Sequence, residues 1–389
     1  MIPYGHQEIS ESDIRAVMEV LRSEFLTQGP TVPAFEQSVA QHCGISHAVA
    51  MNSATSALHV ACLTLGVKKG DRVWTSPITF VASANCALYC GAEVDFVDID
   101  PVTYNLSVKN LDEKLARAKK TGELPRVVIP VHLAGQSCDM AAIHDLGRRY
   151  GFRIIEDASH AIGGRYRNEP IGNCRYSDIA VFSFHPVKII TTGEGGMATT
   201  NDPELAKRMR RLRNHGITRE AGEMTHASDG PWYYQQIDLG FNYRMTDLQA
   251  ALGLSQMKKL DGFVAKRHAI ARRYDEKLAD LPVVTPRQHL ESYSGFHLYI
   301  VRIRRKETRK THRVIFEAMR AAGIGVNLHY IPVYRQPYYE RLGFKAGHCP
   351  EAEKYYDEAV TLPIYPGLTE ELQDEVVAAL KTALTEDAR

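Results

Sequence analysis

The sequence predicts an α/β protein with a large domain built on a mostly parallel sheet and a smaller α+β domain toward the carboxyl terminus. Between about Ser46 and Thr200, short β-branched runs alternate with helical patterns, which is typical of βαβ units. Beyond a long helical pattern near residue 255, strands and helices mix, and Pro282 and Pro286 interrupt them. We therefore expect a large domain over residues 1–255, including an amino-terminal arm, and a small domain over residues 256–389.

The predicted strands of the large domain are short apolar runs. In chain order they are HAVAMNS, DRVWTSP, EVDFVDID, RVVIPVHL, FRIIEDAS, DIAVFSF and GGMATT. Helical patterns lie between them, such as ATSALHVACLTLGV after the first strand and DMAAIHDLGRRYG, which Gly151 should end. One long helix, NYRMTDLQAALGLSQMKKLDGFVAKRHAIARRYDEKLADL, should lead into the small domain, whose predicted strands are HLYIVRI and GVNLHY.

Composition and charge argue against several classes of protein. The formal net charge is +1, so nothing favours nucleic acid as a partner. The first residues lack the features of a secretory signal, and no apolar run is long enough to span a membrane, which favours a cytoplasmic location. The seven cysteines are scattered and fit reduced thiols. Cys86 and Cys90 can share a helix face, but without a second pair at metal spacing we expect small buried side chains and no metal.

The commonest nucleotide-binding motifs, GxGxxG and GxxxxGK[ST], are missing, which weakens a dehydrogenase or P-loop interpretation. Three other features can carry chemistry. In the first, MNSATSAL, Ser53, Thr55 and Ser56 lie between a strand and a helix, where free N–H groups and the helix dipole favour a bound phosphate. Asn52 or Ser53 can equally serve as a simple helix cap.

The other two features follow predicted strands. Asp157 in EDASHA ends an apolar run, so its carboxylate should emerge at the sheet edge where open α/β folds bind ligands. It can cap a helix there or keep a heterocyclic nitrogen protonated, and His160 can hydrogen-bond a ring substituent or merely pack. Lys188 in SFHPVKIITTGEGG is either a surface cation or an amine that burial keeps neutral for Schiff-base chemistry.

Pyridoxal 5′-phosphate requires all three features, because it needs a phosphate anchor, an acid at its pyridinium nitrogen and a lysine for the Schiff base. They occur in that order on successive βα units, which makes the combination far more specific than any part. The sequence therefore predicts a pyridoxal-phosphate enzyme.

Five stretches resemble the DegT/DnrJ/EryC1/StrS family of pyridoxal-phosphate-dependent nucleotide-sugar aminotransferases. They are NSATSALHVA, GDRVWTSPITFVASAN, EDASHAIGGRY, FSFHPVKIITTGEGG and GFNYRMTDLQAALGLSQM, and the resemblance runs from Tyr4 to near the carboxyl terminus. It implies the fold of aspartate aminotransferase, which is fold type I of pyridoxal-phosphate enzymes. It also implies a homodimer with two shared active sites.

By this resemblance, Lys188 bonds to the cofactor and carries the proton between cofactor and substrate, and Asp157 pairs with the pyridinium nitrogen. The other implied cofactor contacts are Ala54, Thr55 and Ser183 at the phosphate, Phe80 against the ring face, His160 near the 3-hydroxyl, and Asn242 lent to the phosphate by the neighbouring subunit. The implied contacts with the nucleotide-sugar are Tyr4, Glu24, Phe25, Leu26, Thr27, His329 and Tyr330. Each of these seven can instead simply pack.

Within the family, EVLRSEFLTQGPTVPAFE, SFHPVKIITTGEGG and LHYIPVY resemble members that use L-glutamate to aminate a UDP-linked 4-keto-6-deoxy amino sugar in pseudaminic acid biosynthesis, with 2-oxoglutarate as the second product. Aminotransferases for perosamine- or bacillosamine-type sugars would share every cofactor contact. Family dehydratases have histidine in place of Lys188, and a non-catalytic regulatory protein on this scaffold would not need both Lys188 and Asp157. Residues 217–239 vary within the family and could form an active-site flap.

Overall fold

The computed structural model describes residues 1–385, so residues 386–389 of the predicted small domain lie outside the described part. Within that part the strands are β1 (Ile2–Pro3), β2 (His47–Met51), β3 (Arg72–Thr75), β4 (Glu93–Phe96), β5 (Val127–Ile129), β6 (Arg153–Asp157), β7 (Arg165–Tyr166), β8 (Glu169–Pro170), β9 (Ile179–Ser183), β10 (Gly196–Thr200), β11 (Ile217–Thr218), β12 (Gln235–Gln236), β13 (Val283–Val284), β14 (Ser292–Tyr293), β15 (Tyr299–Ile303), β16 (Ile324–Gly325) and β17 (Ala359–Leu362). The α-helices are α1 (Glu11–Leu21), α2 (Thr31–Cys43), α3 (Ala54–Thr64), α4 (Ala82–Tyr89), α5 (Val108–Thr121), α6 (Met140–Tyr150), α7 (Pro203–Leu212), α8 (Asp247–Met257), α9 (Leu260–Lys277), α10 (His312–Ala321), α11 (Pro337–Glu340), α12 (Pro350–Tyr356) and α13 (Glu370–Thr385).

A seven-stranded sheet with the order β2, β10, β9, β6, β5, β3, β4 forms the centre of the molecule. Strand β10 is antiparallel to both of its neighbours, and the remaining adjacent pairs are parallel. The predicted α/β fold with a mostly parallel sheet is therefore confirmed. Because β2, β3, β5, β6 and β9 run in one direction, their carboxyl ends share one edge of the sheet.

The elements around this sheet follow from the local sequence. Strand β9 is buried along its whole length, which explains why its sequence is continuously apolar rather than alternating. Ser53 caps helix α3, because its hydroxyl accepts a hydrogen bond from the backbone N–H of Ser56. Helix α6 ends at Gly151 as predicted, because that residue has a φ of 83°.

The single long helix predicted before the small domain is instead two helices, α8 and α9. They are separated at Lys258 and Lys259, where the ammonium of Lys259 pairs with the carboxylate of Asp13 in the first turn of α1. Asp13 is fully buried and also accepts a hydrogen bond of 2.9 Å from Gln256. The boundary between the two helices therefore lies against a buried acid that is distant in the sequence.

A second, antiparallel sheet with the order β13, β15, β17 organises the carboxyl-terminal part, and Tyr274 and Tyr299 are buried in its core. The predicted strand GVNLHY is wrong beyond its first residue, because β16 ends at Gly325 and residues 327–330 line a cavity. Strand β1 pairs in parallel with β16, and the carbonyl of Tyr4 accepts a hydrogen bond of 3.0 Å from the N–H of Ile364. The amino-terminal residues are thus attached to the carboxyl-terminal part, and the domain boundary near residue 255 remains a prediction.

No helix within residues 1–385 is both long enough and apolar enough to cross a membrane.

Candidate active site

A cavity of about 550 Å³ opens at the carboxyl edge of the central sheet. It is lined by residues that follow β2, β6 and β9, together with segments from both ends of the chain. The predicted site residues that line it are Tyr4, Ala54, Thr55, Phe80, Asp157, His160, Ser183, Lys188, His329 and Tyr330. Another cavity of similar size, between β4 and residues 342–348, contains none of the predicted site residues.

The structure does not bring Asn242 or residues 24–27 to this cavity. All five side chains are exposed. Residues 26 and 27 contact the chain shortly after Asn242, because Thr27 pairs with Thr246, and the carbonyl of Leu26 accepts a hydrogen bond of 3.0 Å from the N–H of Asp247. Their contribution to a neighbouring subunit's site stays a prediction.

The first turn of α3 forms a possible anion-binding site, here called the cradle, on one side of the cavity. The N–H groups of Ala54 and Thr55 have no intrahelical partner at this position and are free to bind an anion. Gly196 at the start of β10 is required here, because a Cβ at this residue would lie 2.5 Å from the carbonyl of Ser53 and the N–H of Ala54. Ser56 differs from the prediction, since its hydroxyl is turned to Ser53 and Asn52. The helix-cap interpretation of Ser53 is thus confirmed, and a free cradle remains beside it.

The carboxylate of Asp157 lies at the end of β6 and is almost fully buried. One oxygen accepts a hydrogen bond of 2.6 Å from the hydroxyl of Ser83, and the other accepts one of 3.1 Å from the N–H of Ser159. The hydroxyl of Ser83 is also 2.7 Å from that of Thr79. The sequence prediction missed Ser83, although it lies three residues after Phe80 in a stretch that the resemblance includes.

Lys188 lines the cavity as a half-buried residue of the loop between β9 and β10, so the surface-cation alternative is wrong. Burial lowers the pKa of its amine from 10.5 to about 8, although the charge of Asp157 opposes this change. About a tenth of the amine is therefore neutral at pH 7. An amine that releases its proton near neutral pH suits Schiff-base and proton-transfer chemistry, and it lines the same cavity as the buried carboxylate of Asp157.

His160 has both ring nitrogens occupied. Its Nδ1 accepts a hydrogen bond of 3.2 Å from the N–H of Ala134, so Nε2 carries the proton and donates to the hydroxyl of Tyr330, also at 3.2 Å. The rings of His160 and Tyr330 are stacked at 24°, with centroids 6.1 Å apart. This bond joins the sheet edge to the carboxyl-terminal part, and the ring centroid of Phe80 lies 6.4 Å from that of Tyr330.

Two more histidines complete the wall of the cavity. The Nδ1 of His329 lies 2.8 Å from the hydroxyl of Thr361. His297, which the sequence prediction missed, lies 4.5 Å from His160 between ring centroids, and its Nδ1 has no hydrogen-bond partner among residues 1–385. No pattern marks His297, since it precedes an ordinary buried strand.

All three histidines are neutral near pH 7. Burial lowers their pKa values, and the positive charge of Lys188 lowers them further. The pKa of His329 falls to about 3, and those of the other two fall well below 6.5. Lys188 and Asp157 are thus left as the charged pair at the centre of the wall.

These residues fit pyridoxal 5′-phosphate. The free N–H groups at α3 suit its phosphate, the buried carboxylate of Asp157 suits its ring nitrogen, and the amine of Lys188 suits its aldehyde. Within residues 1–385, no group of three or more His, Cys, Asp and Glu side chains is arranged to hold a metal ion.

The fold and the site define a pyridoxal-phosphate enzyme of fold type I. The chain belongs to the DegT/DnrJ/EryC1/StrS aminotransferase family, whose family model matches residues 7–381. We conclude that it is a pyridoxal-phosphate-dependent nucleotide-sugar aminotransferase.

Three similar proteins show how the chain relates to named members. It is 38% identical to the spore coat polysaccharide biosynthesis protein SpsC of Bacillus subtilis, over 98% of this chain and 96% of that protein. It is 37% identical to a Campylobacter jejuni protein named UDP-4-amino-4,6-dideoxy-N-acetyl-beta-L-altrosamine transaminase, over 94% and 93% of the two chains. The solved structure of Helicobacter pylori PseC, described as an aminotransferase of pseudoaminic acid biosynthesis, superposes with a TM-score of 0.90 and 30% identity, covering 98% of this chain and 99% of that one.

Proposed function

We propose that this protein transfers an amino group from L-glutamate to the 4-keto group of UDP-2-acetamido-2,6-dideoxy-β-L-arabino-hexos-4-ulose. The product is UDP-4-amino-4,6-dideoxy-N-acetyl-β-L-altrosamine, an intermediate of pseudaminic acid biosynthesis. The similarity to the Campylobacter jejuni transaminase, which extends over nearly the whole of both chains, carries this choice of sugar. The transfer chemistry itself is supported by the lowered pKa of the Lys188 amine, which lines the same cavity as the carboxylate of Asp157.

Bound pyridoxal phosphate would supply an electron sink that stabilises negative charge on the substrate carbon. Lys188 would move the proton, because an amine with a pKa of about 8 can accept and return one near neutral pH. Asp157, held by Ser83, would keep the ring nitrogen protonated. Ala54, Thr55 and Ser183 would hold the phosphate; Phe80 would cover the ring, and His160 would contact its 3-hydroxyl.

The open side of the cavity would receive the nucleotide-sugar. Tyr4 and His329 line the cavity with their ring centroids 5.1 Å apart, and Tyr330 is held by its bond to His160. We assign Glu24, Phe25, Leu26, Thr27 and Asn242 to the site of the second subunit in a homodimer. Their exposure supports this assignment, as does the pairing of Thr27 with Thr246, which follows Asn242 closely in the chain.

The test is to incubate the protein with L-glutamate and a panel of UDP- and dTDP-linked 4-keto-6-deoxy sugars, and to identify each amino-sugar by mass and NMR. We expect amination of the UDP-linked β-L-arabino substrate to have the highest kcat/KM. Lys188→Ala is the matched control and should give no product with any substrate. The 38% identity with SpsC makes a different sugar the main competing outcome, and a preference for a dTDP-sugar would overturn the assignment.

A further inference from the structure

Two hydroxyl groups connect the loop after β3 to the carboxylate of Asp157. The hydroxyl of Thr79 lies 2.7 Å from that of Ser83, which in turn lies 2.6 Å from one carboxylate oxygen of Asp157. All three residues are almost fully buried, and all three line the cavity. We call them the hydroxyl relay. It spans part of the sheet edge, because β5 lies between β3 and β6 in the central sheet.

The direction of the relay follows from the number of protons that it holds. An ionised carboxylate can only accept hydrogen bonds, and each hydroxyl has one proton to donate. The proton of Ser83 therefore points to Asp157, and the oxygen of Ser83 accepts the proton of Thr79. The hydroxyl of Thr79 has no other hydrogen-bond partner among residues 1–385. Both protons are thus arranged to stabilise a negative charge on Asp157.

Support of helix α4 does not account for the hydroxyl of Thr79. A threonine hydroxyl near the start of a helix usually accepts a hydrogen bond from an N–H of the first turn. The N–H groups of residues 83–85 bond instead to backbone carbonyls, at 2.8–3.3 Å. The contact of Thr79 with Ser83, and through it with Asp157, is therefore what this hydroxyl does in the folded chain.

We propose that Thr79 is a positioning residue that acts through Ser83 to keep Asp157 ionised beside the ring nitrogen of the cofactor. This rests on the proposed function, which assigns Asp157 to that nitrogen, but it does not depend on which sugar is the substrate. A proton on the bonded oxygen of Asp157 would reverse the first hydrogen bond of the relay. The proton of Ser83 would then have to turn to the carbonyl of Phe80 at 3.3 Å or displace that of Thr79. Either change weakens the relay, so the relay opposes transfer of the proton from the nitrogen to Asp157.

The test measures cofactor binding rather than turnover. The full chain, freed of cofactor, is titrated with pyridoxal 5′-phosphate and with an analogue in which C–H replaces the ring nitrogen. Thr79→Val keeps the shape of the side chain and removes the hydroxyl. We expect it to bind pyridoxal phosphate about threefold or more weakly than the wild type, because one buried hydrogen bond is lost, and to bind the analogue equally well. Thr79→Ser restores the hydroxyl and should restore the affinity for pyridoxal phosphate.

Two further variants show whether Thr79 acts through Ser83. In a Ser83→Ala background, adding Thr79→Val should change the affinity for pyridoxal phosphate by less than about twofold, because the relay is already broken. Thr75→Val is the matched control. It removes a buried hydroxyl that bonds to the carbonyl of Ile129 at 2.8 Å, outside the lining of the cavity, and should leave both affinities unchanged.

The protonation of the cofactor can be measured directly by NMR of the holoenzyme carrying pyridoxal phosphate with an isotopically labelled ring nitrogen. The chemical shift of that nitrogen should move toward the unprotonated value in Thr79→Val and stay unchanged in Thr75→Val. Thr79→Ala provides the same measurements if valine disturbs the packing.

The proposal is overturned by equal losses of affinity for pyridoxal phosphate and the analogue, by no loss for either, by no rescue with serine, or by an effect that adds to that of Ser83→Ala. A wrong assignment of Asp157 gives a separate result. Asp157→Asn would then bind pyridoxal phosphate and the analogue with the same ratio of affinities as the wild type.

Discussion

Replacing Lys188 by methionine should make the cofactor-free protein more stable near neutral pH, although it removes the residue to which we assign the chemistry. Burial lowers the pKa of Lys188 from 10.5 to about 8. At about 1.4 kcal/mol for each tenfold change in proton affinity, holding the ammonium in the folded protein costs about 3 kcal/mol. Methionine keeps the length of the side chain without its charge and should recover most of this free energy.

The difference between the variant and the wild type should depend on pH in a defined direction. Below pH 8 the folded and unfolded chains both carry the protonated amine, so the full cost is present. Between pH 8 and pH 10.5 the folded chain has released the proton and the unfolded chain has not, so wild-type stability rises relative to the variant. The advantage of Lys188→Met should therefore fall from about 3 kcal/mol at pH 7 to about 1.4 kcal/mol at pH 9.5.

Urea unfolding of the two cofactor-free proteins at pH 7 and pH 9.5 measures this difference. Lys306→Met, at an exposed lysine after β15, is the matched control and should change stability little at either pH. If Lys188→Met were no more stable than the wild type at pH 7, or if its advantage stayed the same at pH 9.5, the reasoning from burial would be refuted.

The cofactor site, helix α1 and the subunit contact each provide one further test. Ser83→Ala removes the 2.6 Å hydrogen bond to Asp157, and hydrogen bonds to charged groups contribute about 1.5–3 kcal/mol. The affinity for the cofactor, measured by fluorescence titration, should therefore fall about tenfold or more. An unchanged affinity would show that this bond does not support the carboxylate. In helix α1, burial would raise the pKa of Asp13, but the ion pair with Lys259 and several hydrogen bonds lower it to about 2. The stability that the ionised Asp13 contributes is therefore present above pH 3.8 and is lost as the pH falls through 2. The stability lost between pH 6 and pH 2.5 in thermal unfolding should be about 1.5 kcal/mol smaller in Asp13→Asn than in the wild type, and equal losses would contradict this. Lys188→Ala and Asn242→Ala, each nearly inactive alone, should regain up to about a quarter of wild-type turnover when mixed and allowed to exchange subunits, whereas no recovery would mean that Asn242 does not serve the partner's site.

The parts of the site that follow from local sequence are the ends of buried strands. Strand β9 is predictable because it is a continuous apolar run, and β6 because its centre is the apolar pair Ile154 and Ile155, which the sheet buries. Their carboxyl ends then fix where Asp157 and Ser183 emerge. The first turn of α3 is predictable in the same way, because small residues and hydroxyls follow directly after β2.

The features of the fold and the site that local sequence does not predict are contacts between residues far apart in the chain. Ser83 and Asp157 are 74 residues apart, and nothing in the local pattern of α4 pairs the two side chains. At the division between α8 and α9, Lys259 pairs with Asp13, which is 246 residues away in the chain. The periodicity of a sequence shows which face of a helix is apolar, but it does not show which distant acidic residue the end of the helix contacts.

The reversed direction of β10 has a consequence for how this active site can evolve. A parallel connection after β9 would carry the chain to the opposite edge of the sheet before the next strand began. Because β10 is antiparallel, its first residue, Gly196, pairs with the last residue of β9, Ser183. The segment 184–195, which contains Lys188, therefore begins and ends at the same paired residues of the sheet, Ser183 and Gly196. Insertions, deletions and substitutions within it can move the reacting amine while the register of the sheet stays unchanged.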